Sequence, residues 1–202
     1  PSNGYKLKMN ISYEMNKFIE GLNLSNSGTL VEKFAPNNYY KIDAIGSFHT
    51  TILPSKRWTL NFKTKGGWLS NSSVETFFNY FGGGMDGIQG YPYYSFGGTN
   101  SVFSEIALRV PLFRQAHIPL GWMIWQHSTI GFEYQFGDTW SNNKFNLKQS
   151  VGIQLRLNGF SFYNYPTALG IEVHRGLTQL NNNDEVNYSN QNRYYLTLLF
   201  GF

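Results

Sequence analysis

The sequence predicts an all-β protein of one structural unit over residues 1–202, a transmembrane antiparallel up-and-down β-barrel segment of about eight strands. Three observations carry that expectation. Aromatic residues make up 18% of the chain and charged residues only 14%, against roughly 25% charged in a typical soluble domain. Several segments alternate strictly between apolar and polar for about ten residues, the length that crosses a bilayer when tilted, whereas strands of soluble sandwiches run to roughly five or six. Aromatic rings recur where those segments end, at Tyr5, Tyr39, Tyr40, Trp58, Trp68, Trp122, Trp140 and Phe202, as expected at the headgroup level. A soluble β-sandwich or lipocalin-like barrel is the competing all-β class.

The first strand begins at Tyr5, with Leu7, Met9, Ile11, Tyr13 and Met15 on its face and Lys6, Lys8, Asn10, Ser12 and Glu14 on the other. Weaker alternation follows over Tyr40 to Thr50 and Trp58 to Trp68. A fourth strand puts Val102, Ile106, Leu108, Val110 and Leu112 opposite Glu105, Ala107 and Arg109. Trp122 to Phe136 is the fifth. In the sixth, Leu147, Val151, Ile153, Leu155 and Leu157 share a face interrupted only by Gln149. Ala168 to Arg175 and a last strand with Tyr194, Leu196, Leu198, Phe200 and Phe202 on one side complete the count. The connections are rich in Asn, Ser and Gly, and with 21 Gly in the chain almost no helix is expected.

Charges placed on the polar face are Lys6, Lys8, Lys41, Arg57, Lys63, Lys65, Arg109, Lys148, Arg156, Arg175 and Arg193 against Glu14, Asp43, Glu105 and Glu172. So one-sided a set suits a wide, wet lumen better than the packed interior of a small barrel. The chain has no cysteine, which removes disulfide scaffolds and thiol chemistry. No apolar run approaches the roughly 18–20 residues of a membrane helix. The opening at Pro1, without a charged-then-apolar leader, suggests a processed protein or a piece of a longer one. Despite a net charge of +4, the Lys and Arg residues are scattered singly among aromatics, so nucleic-acid binding is not expected. The four histidines, His49, His117, His127 and His174, are read as lacking the spacing of metal ligands with a carboxylate, and neither metal nor cofactor is expected. His127-Ser128 comes with no Gly-x-Ser-x-Gly elbow or paired base, so the chain is not expected to be an enzyme.

The segment 70–100 does not read as strand. It interleaves Gly82, Gly83, Gly84, Gly87, Gly90, Gly97 and Gly98 with Phe and Tyr, and a structureless stretch of that length suggests a functional loop. Its triple glycine precedes Ile88-Gln89-Gly90-Tyr91, and strands follow that include SEIALRVPLF from Ser104, the Phe132-to-Trp140 stretch and Ser150-Val151-Gly152-Ile153-Gln154-Leu155-Arg156. This order resembles the C-terminal part of an Omp85-superfamily barrel, the group of the BamA and TamA insertases and two-partner secretion transporters. There a Gly-Gly stretch precedes a Val/Ile-Arg-Gly-Phe/Tyr tetrad on a loop folded into the lumen, and five strands follow.

The resemblance implies the C-terminal half of a 16-stranded barrel in the outer membrane of a Gram-negative bacterium, which inserts or translocates proteins through a seam and an inward loop. It assigns Gly82, Gly83, Gly84, Ile88, Gln89, Gly90 and Tyr91 to the lumenal loop, and Phe132, Gln135, Gly137 and Asp138 to the strand receiving it. Leu198, Phe200 and Phe202 fall to the C-terminal signal and seam. Implied partners are the lipid bilayer and other envelope proteins as clients or subunits. The chain departs from the family at two places: Gln89 stands for the tetrad's Arg and Gln135 for the strand's Asp. Losing both partners of a charged contact is self-consistent, and a neutral Gln89–Gln135 contact is expected in its place. Tyr91, Tyr93, Tyr94 and Phe96 are read as packing against the barrel wall, with sugar stacking as the alternative. Two other readings stay open: a passive pore or structural anchor in an envelope complex, and the membrane anchor of a Tol-like propeller protein, whose barrels Phe160-Ser161-Phe162-Tyr163 and Tyr165-Pro166-Thr167 also resemble.

Overall fold

The computed structural model describes residues 3–25, 28–113, 117–142, 144–162, 165–180 and 191–201. Its strands are β1 Gly4–Leu24, β2 Leu30–Leu53, β3 Trp58–Leu69, β4 Tyr80–Gly82, β5 Phe96–Gly98, β6 Asn100–Phe113, β7 Ile118–Leu120, β8 Met123–Trp140, β9 Lys148–Ser161, β10 Tyr165–Gly176 and β11 Asn192–Phe200. One 3₁₀ turn, Thr76–Phe78, lies between β3 and β4. The long strands lie side by side as β1-β2-β3-β6-β8-β9-β10-β11, antiparallel throughout, with β7 added to β8 and with β4 and β5 forming a separate hairpin. The eight strands are those the alternation predicts. Among the described residues the path is open: β1 and β11 are its two ends and do not pair with each other.

Period-two alternation gives the sheet two unlike faces. Ile11 pairs with Ile42, Ile42 with Trp68, and farther on Ile106 with Tyr134 and Tyr134 with Val151, so the apolar rows line up from strand to strand. Among the described residues nothing covers this face: Leu7 is 76% exposed and Leu196 72%. The opposite face holds Glu105, Gln135 and Ser150 in one row and Glu133, Gly152 and His174 in the next.

Three placements differ from the sequence reading. Arg57 sits in the β2–β3 turn with positive φ, not on a strand face. Arg175 pairs with Val151, an apolar-face position, because Glu172 and His174 fix the other parity of β10. The first hairpin outruns the expected ten or so residues, since Leu30, Val31 and Phe34 supply partners as far as Leu24. β3 meets β2 only from Lys41 onward, so the rest of β1 and β2 projects as a two-stranded ribbon. Tyr39 and Tyr40 therefore lie within β2 and not at its end, at the level where β3 stops and Tyr40 exchanges backbone and hydroxyl contacts with Ser70.

Candidate functional site

The segment between β3 and β6 lies on the polar face, and glycines set its course. Gly83 and Gly84 have φ of 84° and 73°, a region that costs other residues energy, and the turn they make brings Gly84 N–H to Tyr91 O at 3.0 Å. Gly82 faces Phe96 across the β4–β5 hairpin. Within the closed loop, Gly87 N–H bonds Gly84 O and Tyr91 N–H bonds Ile88 O, both at 3.1 Å, which presents Ile88, Gln89, Gly90 and Tyr91 to the sheet.

Gln89 is the centre of the contact. Its backbone N–H donates to Gln135 Oε1 at 2.8 Å, while Gln135 Nε2 donates back to Gln89 Oε1 at 2.6 Å. The amides expected to meet do so. Gln89 Nε2 donates to Glu172 Oε2 at 2.8 Å, and Tyr195 Oη donates to Gln89 O at 2.7 Å. Every polar group of Gln89 thus has a partner in a site where it is 7% exposed, and removing one partner would strand the other at a cost of about 1–3 kcal/mol. Gln154 Nε2 bonds the remaining Glu172 oxygen, and Ser150 Oγ reaches Gln135 Oε1 at 3.4 Å.

The neighbours of Gln89 lock its height above the sheet. A Cβ on Gly90 would lie 2.5 Å from both Gly176 N and Ser150 Cβ, so only glycine permits this approach. Tyr91 is fully buried with Ile88, Phe103 and Leu180, and its hydroxyl accepts from Thr178 N at 3.0 Å while facing Thr178 O at 2.8 Å and Gln149 O at 3.0 Å. Phe96 meets the Tyr91 ring edge-on at 5.9 Å. Tyr93 and Tyr94 are more exposed: of the four aromatics read as packing, Tyr91 and Phe96 are buried or partly so, Tyr93 meets Tyr195 of β11 edge-on at 6.5 Å, and Tyr94 meets Phe81 of the loop.

The receiving strand is partly as expected. Asp138 makes its hydrogen bonds away from the loop: it takes Asn146 N–H at 2.6 Å and Lys148 Nζ at 2.5 Å, and the ammonium so held lies 4.6 Å from the Phe96 ring centre. Gly137 lies against the backbone of Val102 and Phe103. Phe132 is a correction, since it pairs with Leu108 and Ile153 on the apolar face, pointing away from the loop. Leu198 and Phe200 lie on β11, the sheet's edge, paired with Leu169 and Thr167. Phe202 lies outside the described residues.

The reading that no histidine is spaced with a carboxylate is also corrected. Glu172 and His174 are two apart on β10, and Glu133 joins them from β8, with the three ligand atoms within 4.8 Å of one another. Glu133, Gln154, Tyr195 and Lys148 were not singled out from sequence for this site. The Glu172-x-His174 spacing was visible, but only the strand register brings Glu133 beside it.

A second contact holds the loop over β2 and β3. Tyr80 Oη donates to Asp43 Oδ1 at 2.7 Å, with Lys41 Nζ 5.5 Å from its ring. Burial first, then the hydrogen bond to Asp43 and its charge, push the Tyr80 phenol above its usual 10.0. Below it, Tyr39, Leu69 and Val74 cluster with Phe78, and Phe18 meets Phe78 edge-on at 5.4 Å. Beside Tyr80 lies a cavity of about 510 Å³ lined by Lys8, Asp43, Lys65 and Phe103 among others.

Neither a protein-family model, nor a curated protein, nor a solved structure matches this chain.

Proposed function

We propose that this chain is a membrane-spanning part of an outer-membrane β-barrel protein of Omp85-like type, which inserts or translocates proteins at the outer membrane of a Gram-negative bacterium. The observation that carries the reading is the inequality of the two faces. Outside the projecting β1–β2 ribbon, where Lys17 and Glu32 take the same parity, the register puts two formal charges of the described residues on the apolar face: Arg175, one residue from the end of β10, and Asp138, two residues from the end of β8 and buried against Lys148. A basic residue at the bilayer midplane costs about 2–4 kcal/mol, whereas one near a strand end reaches the headgroups.

Two aromatic levels bound this face. Trp68 and Trp140 both pair with Asn100 at one end of β6, and Phe113 packs edge-on against Trp125 at 5.5 Å near the other. The run from Asn100 to Phe113 is roughly 43 Å along the strand, or about 30 Å of height at a 45° tilt, the thickness of a hydrocarbon core. The unpaired edges of β1 and β11 need partners in lipid, which the remaining strands of a larger barrel supply. In that barrel the polar face lines the lumen, the loop lies inside it, and β11 forms one lip of the seam.

A passive barrel is the second reading, and the saturation of Gln89 favours it, because a loop with every polar group paired is suited to plugging. The test uses the intact native protein in proteoliposomes, with Gln89→Ala to release the loop. Faster folding of an added client barrel by the wild type, altered in the variant, supports insertion. No effect on the client, with conductance rising in the variant, supports the plug. A protein that stays out of the membrane contradicts both.

A further inference from the structure

We infer that Glu133, Glu172 and His174 form a binding site for one divalent first-row metal ion beneath the loop. Gly152 of β9 pairs with both Glu133 and His174, so the three donors surround a position with no side chain, and a Cβ there would fall on the His174 ring. His174 Nε2 stands 3.5 Å from Glu172 Oε2 and 3.8 Å from Glu133 Oε2. The 3.8 Å gap is too long for a hydrogen bond and the 3.5 Å gap is at the outer limit of one, yet both are close to the roughly 3.3 Å that separates donors sharing an ion at about 2.0–2.2 Å.

A second observation points to a ligand. His174 is wholly buried and neither of its ring nitrogens has a hydrogen-bond partner, although a buried imidazole ordinarily has one. Its Nε2 is aimed between two carboxylates, which bring the negative charge a dication needs. The outer contacts orient the donors: Gln154 and Gln89 hold the two oxygens of Glu172, and Arg109 lies 3.9 Å from Glu133 Oε1, leaving Oε2 toward His174. Two carboxylates and one imidazole suit zinc, manganese or ferrous iron, with water filling the remaining positions, and not calcium or magnesium, which take oxygen ligands alone. The ion would tie β8 to β10 across β9. Because Glu172 also holds Gln89, it would stiffen the loop's footing as well.

The test is independent of any client assay. The intact protein, purified in detergent and stripped by chelator, is titrated with zinc chloride by calorimetry, with cobalt(II) absorption as a second readout. About one ion per chain is expected, with affinity falling at least about tenfold in Glu133→Gln and in His174→Ala, and unchanged in His49→Ala. Glu133→Gln keeps the side-chain shape, so it carries the test if His174→Ala fails to fold. Wild type binding no zinc, or binding it as tightly after either substitution, overturns the inference.

Discussion

The loop stands on two footings built differently. Over β8–β11 it meets the sheet through amides and a carboxylate, with Gln89, Gln135 and Glu172 buried and mutually bonded. Over β2 and β3 it rests on a cluster of apolar and aromatic side chains and one phenol–carboxylate bond, beside an open volume of about 510 Å³. Buried polar contacts are specific in position and costly to break singly, whereas apolar packing next to empty space can shift and re-form. The first footing therefore sets where the loop sits, and the second lets its flank adjust.

The sharpest way to break this contrast is Gly90→Val. Its side chain would occupy the space of Gly176 N and Ser150 Cβ, so the loop should lift from β8–β11 at a cost of about 3 kcal/mol, read as lost hydrogen-exchange protection over residues 83–95. Gln89→Ala comes next: it removes the acceptor of Gln135 Nε2 and the amide donor to Glu172 Oε2 and should weaken docking by about 2–3 kcal/mol in the same measurement. A charge swap sharpens the point. Gln89→Arg alone should loosen the loop because Gln135 Nε2 loses its acceptor, and adding Gln135→Asp should restore much of the protection.

Tyr91→Phe strands Thr178 N–H and should cost about 1–2 kcal/mol, checked by proteolysis of the loop. Tyr80→Phe, at the softer footing, should cost about 0.5–1 kcal/mol or less. Tyr80 also gives a pH signature. A phenol raised above its usual 10.0 contributes stability that is present in full below pH 10 and is lost as pH rises through the higher value, so ultraviolet titration should show a tyrosine ionising late and Tyr80→Phe should remove it.

Period-two alternation made the eight strands and most of their faces readable, and the Gly82-Gly83-Gly84 run marked a loop that had to turn sharply. The Gln89–Gln135 contact was legible only because two departures from a family pattern matched each other. What the sequence hid was lateral. Glu172 reaches Gln89 from two strands beyond Gln135, and Tyr195 from three, and such neighbours exist only once the register is known. Phe132 was misplaced for the same reason: a motif names neighbours in sequence, while adjacent residues on a strand face opposite ways. Arg175 failed likewise, and the length of the first hairpin could not be seen because the alternation weakens beyond Met15 although pairing continues.

In the proposed reading, one face of this sheet meets lipid while the other holds the loop. A cryo-EM map of the intact native protein in a lipid nanodisc tests it most directly. The expected map shows these eight strands as a contiguous part of a closed barrel, with Leu7, Ile106 and Leu196 in the lipid belt and Gln89 seated on Gln135 and Glu172 inside. A map with the apolar face covered by protein and no strand within the bilayer would contradict it.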